Sequence, residues 1–142
     1  MFLLDTDHLV ICQQLSAVEY DHLIRRVRQH DPSDVFVSII SFHEQVMGWN
    51  AYISRANDTA GVVRGYTRLE RVLANFSQAQ VLPFDDAAAD VFDDLRKQRV
   101  RVATMDLRIA SIALSRSMKV LTKNLVDFER VPGLQVDDWT RP

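Results

Sequence analysis

The chain has almost no cysteine, little glycine or proline, and no surplus of either charge. Cys12 is its only cysteine, which excludes an internal disulfide and fits a reducing compartment. Four glycines and four prolines in 142 residues leave no flexible linker or low-complexity tract. His8, His22, His30 and His43 have no ligand spacing with one another or with Cys12, which argues against a zinc site. No apolar run is long enough to span a membrane, and Met1-Phe2-Leu3-Leu4 meets Asp5 too soon for a signal peptide. A cytoplasmic protein without membrane association is therefore expected. The P-loop, the glycine-rich dinucleotide fingerprint and the Gly-x-Ser-x-Gly elbow are also missing. With 17 Lys and Arg against 19 Asp and Glu, the net charge is −2, so composition does not announce a nucleic-acid partner. Such a partner would have to meet local basic faces. Arg25, Arg26 and Arg28 form one cluster, and Arg64, Arg68 and Arg71 another at helical spacing. Both also suit an ordinary solvated helix face.

What is present suits a single globular domain over residues 1–142, with 47% hydrophobic and 25% charged residues. Phe2 to Leu4 reads as a short buried strand, followed by helical sequence in which Leu9, Val10 and Cys12 could face a core. A second helix fits Ser16 to His30, with Leu23, Ile24 and Val27 on one side. Asp31-Pro32-Ser33 is a turn. Val35 to Ile40 is the clearest strand, β-branched and bounded by turn signals. Ser41 and Glu44 have the spacing of a capping box, so a helix is expected from Ser41 to about Arg55. After a break at Asn57-Asp58-Thr59, the residues Val62, Tyr66, Leu69, Leu73 and Phe76 mark one face of a long helix, which Gly61 and Gly65 weaken slightly. Val81 to Phe84 is extended, and Asp85 caps a helix with Ala88, Val91, Phe92 and Leu95 inward. A short amphipathic helix follows from Ala103, then an apolar strand around Lys119, Val120 and Leu121. Gln135-Val136 adds an edge strand, and Trp139 anchors the tail. This alternation predicts an α/β fold with a mostly parallel sheet of four or five strands flanked by helices.

The chemistry lies in four acids placed just beyond strands or at helix starts: Asp5, Glu44, Asp106 and Asp127. Open α/β sheets bind ligands at the carboxyl ends of their strands. Carboxylates gathered there suit a hard cation such as Mg²⁺, which takes oxygen ligands, keeps several waters and can activate one of them. Each acid also has a local explanation: Asp5 as a helix cap, Glu44 as the partner of Ser41, Asp106 in a first helical turn, Asp127 in a turn. Their joint placement carries the functional reading. Thr6, Thr104 and Thr122 are polar neighbours able to steady a carboxylate or bind phosphate, although Thr104 equally fits a simple cap.

Four blocks, namely Phe2 to Asp7, Ser38 to Glu44 with Gly48, Met105 to Ala113, and Leu121 to Phe128 before Val131-Pro132-Gly133-Leu134, together resemble the PIN domain. More narrowly they resemble VapC-type toxins of bacterial toxin–antitoxin pairs. The resemblance runs over nearly the whole chain. It implies a PIN-like three-layer fold and an endoribonuclease dependent on Mg²⁺ or Mn²⁺. Asp5 and Asp106 would be the main metal ligands, and Glu44 and Asp127 would complete the pocket directly or through water. Thr6 and Thr122 would support the site, and Asn124 would shape its rim. It also implies a homodimer held inactive by a small antitoxin. Local basic residues such as Arg108 and Lys123 would then meet the RNA substrate.

Two other functions compete. Asp5-Thr6-Asp7 after a strand is similar to the first motif of haloacid-dehalogenase-type phosphatases. There Asp5 would be a covalent nucleophile and Asp7 a general acid, with Thr122-Lys123 and Asp137-Asp138 in supporting roles. That reading leaves Glu44 and Asp106 without work. A non-catalytic PIN-like binding module is the third possibility, and the presence of all four acids argues against it.

Overall fold

The computed structural model describes residues 1–15 and 18–142. Among these, five strands run parallel: β1 (Phe2–Leu4), β2 (Val35–Ser38), β3 (Val81–Leu82), β4 (Lys119–Leu121) and β5 (Val136–Asp137). Their order across the sheet is β3-β2-β1-β4-β5. The helices are α1 (Thr6–Gln14), α2 (Val18–Val27), α3 (Ile39–Arg55), α4 (Thr59–Ser77), α5 (Asp86–Lys97), α6 (Thr104–Ser115) and the short α7 (Leu125–Phe128). The expected start of the second helix at Ser16 lies outside the described residues. Its expected end at His30 shortens to Val27.

Side-chain alternation along the central strands builds three layers. Leu3 of β1 and its register partner Val120 of β4 join a core with Leu95, Ile109, Ile112 and Phe128. Leu4 and its partner Leu121 point the other way, into a core with Leu9, Leu23, Val72, Phe76 and Trp139. This is the two-faced burial that makes parallel strands read as unbroken apolar runs. Trp139 anchors the tail as expected, in contact with the Phe2 and His30 rings.

The structure revises four details. The second strand ends at Ser38 rather than Ile40. The buried Ser38 hydroxyl accepts the Ser41 amide at 3.1 Å, and that cap starts α3 at Ile39 despite two β-branched residues. The capping box between Ser41 and Glu44 is therefore absent, and Glu44 is free for another task. In α1 the buried residues are His8, Leu9 and Ile11; Cys12 is half-buried and packs on that core as expected, whereas the half-buried Val10 does not belong to it. Thr104 is exposed and caps nothing in α6, whose cap position, Ala103, has no side-chain bond.

The fourth revision concerns α4. Its buried stripe is Gly61, Gly65, Val72 and Phe76, whereas Tyr66 and Leu73 stand in solvent at 58% and 64% exposure. A count of apolar side chains misses this, because the two glycines form the closest part of the contact with α3. A Cβ at Gly65 would collide with Ile53 Cγ1 and press on Tyr52. Gly48 in α3 has open space around it. We therefore expect opposite signs from one chemical change. Gly48→Ala should stabilise by about 1 kcal/mol through helix propensity. Gly65→Ala should destabilise by roughly 1–3 kcal/mol through overpacking, despite the same propensity gain. Urea unfolding of both variants measures this, and a Gly65→Ala variant more stable than the parent would refute the close packing.

Candidate active site

The sheet order reverses between β1 and β4, and such a switch point is where open α/β sheets leave a crevice at their carboxyl ends. Asp5 follows β1 and Thr122 follows β4, so the register that pairs Leu4 with Leu121 sets the two side by side. The Asp5 amide donates to the Leu121 carbonyl at 2.9 Å. The fully buried Thr122 hydroxyl donates to Asp5 Oδ2 at 2.8 Å. Asp5 Oδ1 accepts the Thr6 amide at 2.7 Å, so the expected N-cap role is real and coexists with the site.

Glu44 arrives from α3. The Thr6 hydroxyl stands 3.0 Å from both Glu44 Oε1 and Ser41 Oγ, linking the starts of α1 and α3. Asp106 sits half-buried in the first turn of α6. Asp127 lies in α7 rather than in a turn, with its carboxylate held by Asn124 Nδ2 at 2.9 Å and by Arg130 at 3.3 Å. Asn124 also gives its amide to Thr122 Oγ1 at 3.0 Å, which makes it a brace between β4 and α7. Hydrogen bonds thus link Asp5 to Thr6 and Thr122, Thr122 to Asn124, Asn124 to Asp127 and Thr6 to Glu44, whereas Asp106 joins them through charge alone.

The acids feel one another. Burial, then the negative charge of Asp7, then that of Asp106, pushes Asp5 up to about 7 against the opposing bonds from Thr122 and Thr6. Burial, then Glu44, Asp127 and Asp7, pushes Asp106 up to about 6. Among the described residues, no three His, Cys, Asp or Glu side chains are gathered closely enough to hold a metal ion between them. The donors present are carboxylate and hydroxyl oxygens without thiolate or imidazole. They fit a hard divalent cation, which needs only one or two direct carboxylates and keeps water elsewhere in its shell. Such an ion would also relieve the repulsion that raises both acids.

Three contributors carry little signal in the sequence. Ser41, which suits a cap, instead belongs to the Thr6–Glu44 link. Asp7 ties the start of α1 to the end of β4 by accepting the Lys123 amide at 2.8 Å, and its other oxygen takes the His8 ring at 2.8 Å. His8 is fully buried, and its Nε2 accepts the Trp139 amide at 3.2 Å, so Nδ1 carries the proton given to Asp7. The tail is thereby bonded to the site's frame. The only sequence sign is a histidine among apolar neighbours. These bonds also weaken the phosphatase alternative, since both oxygens of Asp7 are engaged. Asp138 is likewise committed, to Thr140 and Arg141.

Comparison with known proteins agrees with this geometry. The family model described as "PIN domain" matches residues 3–134. The chain is 32% identical over 111 residues to the tRNA(fMet)-specific endonuclease VapC of Salmonella typhimurium, covering 75% of this chain and 76% of that one. It is 30% identical over 105 residues to Ribonuclease VapC1 of Rickettsia felis, covering 71% and 73%. Among solved structures, the DNA-bound VapBC of Salmonella typhimurium superposes with a TM-score of 0.74 at 27% identity, over 97% of each chain. The chain therefore belongs to the PIN domain family. Within that family it stands with the VapC ribonucleases.

The raised acids predict a pH signature. Both have native values above their unfolded value of 3.8. The stability they contribute is complete below that value and is lost as pH rises through about 6 and about 7. In excess chelator, the thermal midpoint should fall by roughly 5 °C or more between about pH 5 and about pH 8. Asp5→Asn should flatten this slope, and millimolar Mg²⁺ should restore the midpoint at the upper end. A pH-independent midpoint in the parent would show that the acids do not share one field.

Proposed function

We propose that this protein is the toxin of a toxin–antitoxin pair, an endoribonuclease that hydrolyses RNA phosphodiester bonds with water as the nucleophile. The observation that carries this reading is the convergence of Asp5, Glu44, Asp106 and Asp127 at the switch point, with Asp5 and Asp106 both raised by burial and mutual charge. Its named relatives, an endonuclease and a ribonuclease, support the reaction class. The VapBC complex of Salmonella typhimurium supports an antitoxin partner.

Asp5 and Asp106 would hold a divalent cation, Mg²⁺ or Mn²⁺, with Glu44 and Asp127 reaching it directly or through water. Bound there, the ion supplies Lewis acidity and lowers the pKa of water. The chain's own residues do the positioning. Thr122 and the Thr6 amide fix both oxygens of Asp5. Thr6 orients Glu44, whose carboxylate would accept a proton from an attacking water. Asn124 and Arg130 hold Asp127 at the outer side, where it adds charge. No covalent intermediate on the enzyme is needed, which separates this reading from the phosphatase. We further propose that residues 1–142 form a single PIN-like unit that acts as a cytoplasmic homodimer. Within the described residues, no helix is long and apolar enough to cross a membrane.

Asp5→Asn and Asp106→Asn should abolish RNA cleavage while the fold survives, as judged by circular dichroism. Thr122→Val and Asn124→Ala leave every proposed ligand in place and should cost about 10–100-fold in activity or metal affinity. Asp7→Asn should be far milder than Asp5→Asn, whereas a phosphatase would lose its general acid. Full cleavage in excess chelator would sink the mechanism.

A further inference from the structure

Four oxygen atoms form a chain from the end of β2 to the acids. Ser38 Oγ lies 3.4 Å from Ser41 Oγ, which lies 3.0 Å from Thr6 Oγ1, which in turn lies 3.0 Å from Glu44 Oε1. Both serines are fully buried, and Thr6 and Glu44 are half-buried. The backbone brings them together. β1 and β2 are neighbours in the sheet, so the helices that follow them start side by side. Ser38 caps α3, Ser41 lies in its first turn, and Glu44 stands one turn further on the same face. Thr6 opens α1 and reaches across to both.

Proton counting gives this chain a direction. A hydroxyl has one proton to give and two lone pairs, and an ionised carboxylate can only accept. The Thr6 proton therefore belongs to Glu44. The contact between Thr6 and Ser41 then needs the Ser41 proton, and the contact between Ser41 and Ser38 needs the Ser38 proton. Three protons serve three contacts, and all are given toward Glu44. The reverse order would set a Thr6 lone pair against the carboxylate at 3.0 Å. Among the described residues, the Ser41 hydroxyl has no further partner, and Ser38 Oγ has only the Ser41 amide, accepted at 3.1 Å. Serines in other helices return their proton to their own backbone: Ser77 to the Ala74 carbonyl, Ser111 to that of Leu107 and Ser115 to that of Ile112. Ser41 gives its proton to another helix instead, and capping does not explain this, because Ser38 already caps α3.

We propose that Ser41 is a positioning residue of the nuclease, whose hydroxyl donates to Thr6 Oγ1 and so commits the Thr6 proton to Glu44. It touches no reacting atom, and its effect passes through Thr6. With Ser41 as donor, the Thr6 hydroxyl cannot turn its proton toward the Ser41 oxygen, the one competing acceptor at 3.0 Å. Hydrogen bonds in series within a dry interior also polarise one another, so Glu44 is held more firmly than by an isolated threonine. After burial, the charge of Glu44 is the next cause that raises Asp106, so the field at the acids depends on where Glu44 is held. This role rests on the nuclease reading, because Glu44 acts only there, whereas the chain of bonds does not.

The test is single-turnover cleavage of total bacterial RNA in millimolar Mg²⁺, with urea unfolding of the metal-free protein beside it. Ser41→Ala should slow cleavage about 10-fold, and Ser41→Thr, which keeps the hydroxyl, should recover most of that loss. In a Thr6→Val background the chain is already cut, so Ser41→Ala should slow cleavage less than about twofold further. A serine that only fills space would cost the same factor in both backgrounds, and that result would overturn the inference. So would an unchanged rate in Ser41→Ala alone. The losses in urea midpoint from Thr6→Val and Ser41→Ala should also fall short of additive, and additive losses would overturn the chain. Ser41→Cys, whose thiol is a weaker donor, should lie between serine and alanine, and it takes the place of the alanine variant if that variant does not fold. Sub-additive midpoint losses in a protein that cuts no RNA in that mixture would instead refute the nuclease reading and leave the chain of bonds standing.

Discussion

The hydrogen bond from Thr122 to Asp5 is the contact on which the rest of this site depends. It spans the two strands between which the sheet order reverses, and it joins residues far apart in the chain through a buried hydroxyl. Thr122 has one proton to give, and Asp5 Oδ2 at 2.8 Å takes it in preference to Asp7 Oδ2 at 3.4 Å. The same hydroxyl oxygen accepts from the Asn124 amide. A single side chain thus orders the central acid, the start of α7 and, through Asn124, the acid at position 127. Valine would fill the same volume and supply none of these bonds.

Around this bond the fold holds negative charges where water cannot fully solvate them. An isolated buried carboxylate is costly, and a second one nearby raises the cost. The chain offsets part of this with hydroxyl and amide donors to Asp5, but Asp106 receives only influences that raise it. Such uncompensated repulsion is better explained by a cation than by packing, because apolar residues at those positions would stabilise the fold more simply. The surrounding frame is hydrogen-bonded across the length of the chain. His8 connects Asp7 to the Trp139 amide, so the carboxyl-terminal tail is fastened to the same loop that carries Asp5.

Much of this is readable in the sequence, and the boundary has physical causes. The strands around Leu3, Val37 and Val120, the turn at Asp31, the cap at Asp85, and the placement of Asp5 just after β1 and of Asp106 in the first turn of α6 follow from apolar runs, turn residues and helix signals. Local rules fail where two of them compete for one residue. Ser38 and Ser41 both suit an N-cap, and only the folded backbone, in which the Ser38 hydroxyl takes the Ser41 amide, decides between them, which then frees Glu44. Apolar periodicity misplaces the α4 stripe because Gly61 and Gly65 contribute closeness rather than apolar area. His8 escapes a sequence reading because a buried imidazole needs partners from the other end of the chain, and those appear only after folding. Asn124 resembles a rim residue because its target, Asp127, is brought within reach by a single turn of helix.

A net charge of −2 is discouraging for an enzyme that must approach a polyanion. The structure resolves this by segregation rather than by excess. Acids are gathered at the carboxyl edge of the sheet, where a divalent cation would reverse the local field. A few of the remaining acids are matched, as in the pairs of Asp85 with Arg116 and Glu19 with Lys123. Among the described residues the arginines without such partners are spread over the chain, Arg25, Arg64, Arg96 and Arg108 among them. An RNA strand would be repelled by those acids until a cation is bound. Under the proposed function, metal loading would therefore control access as well as chemistry.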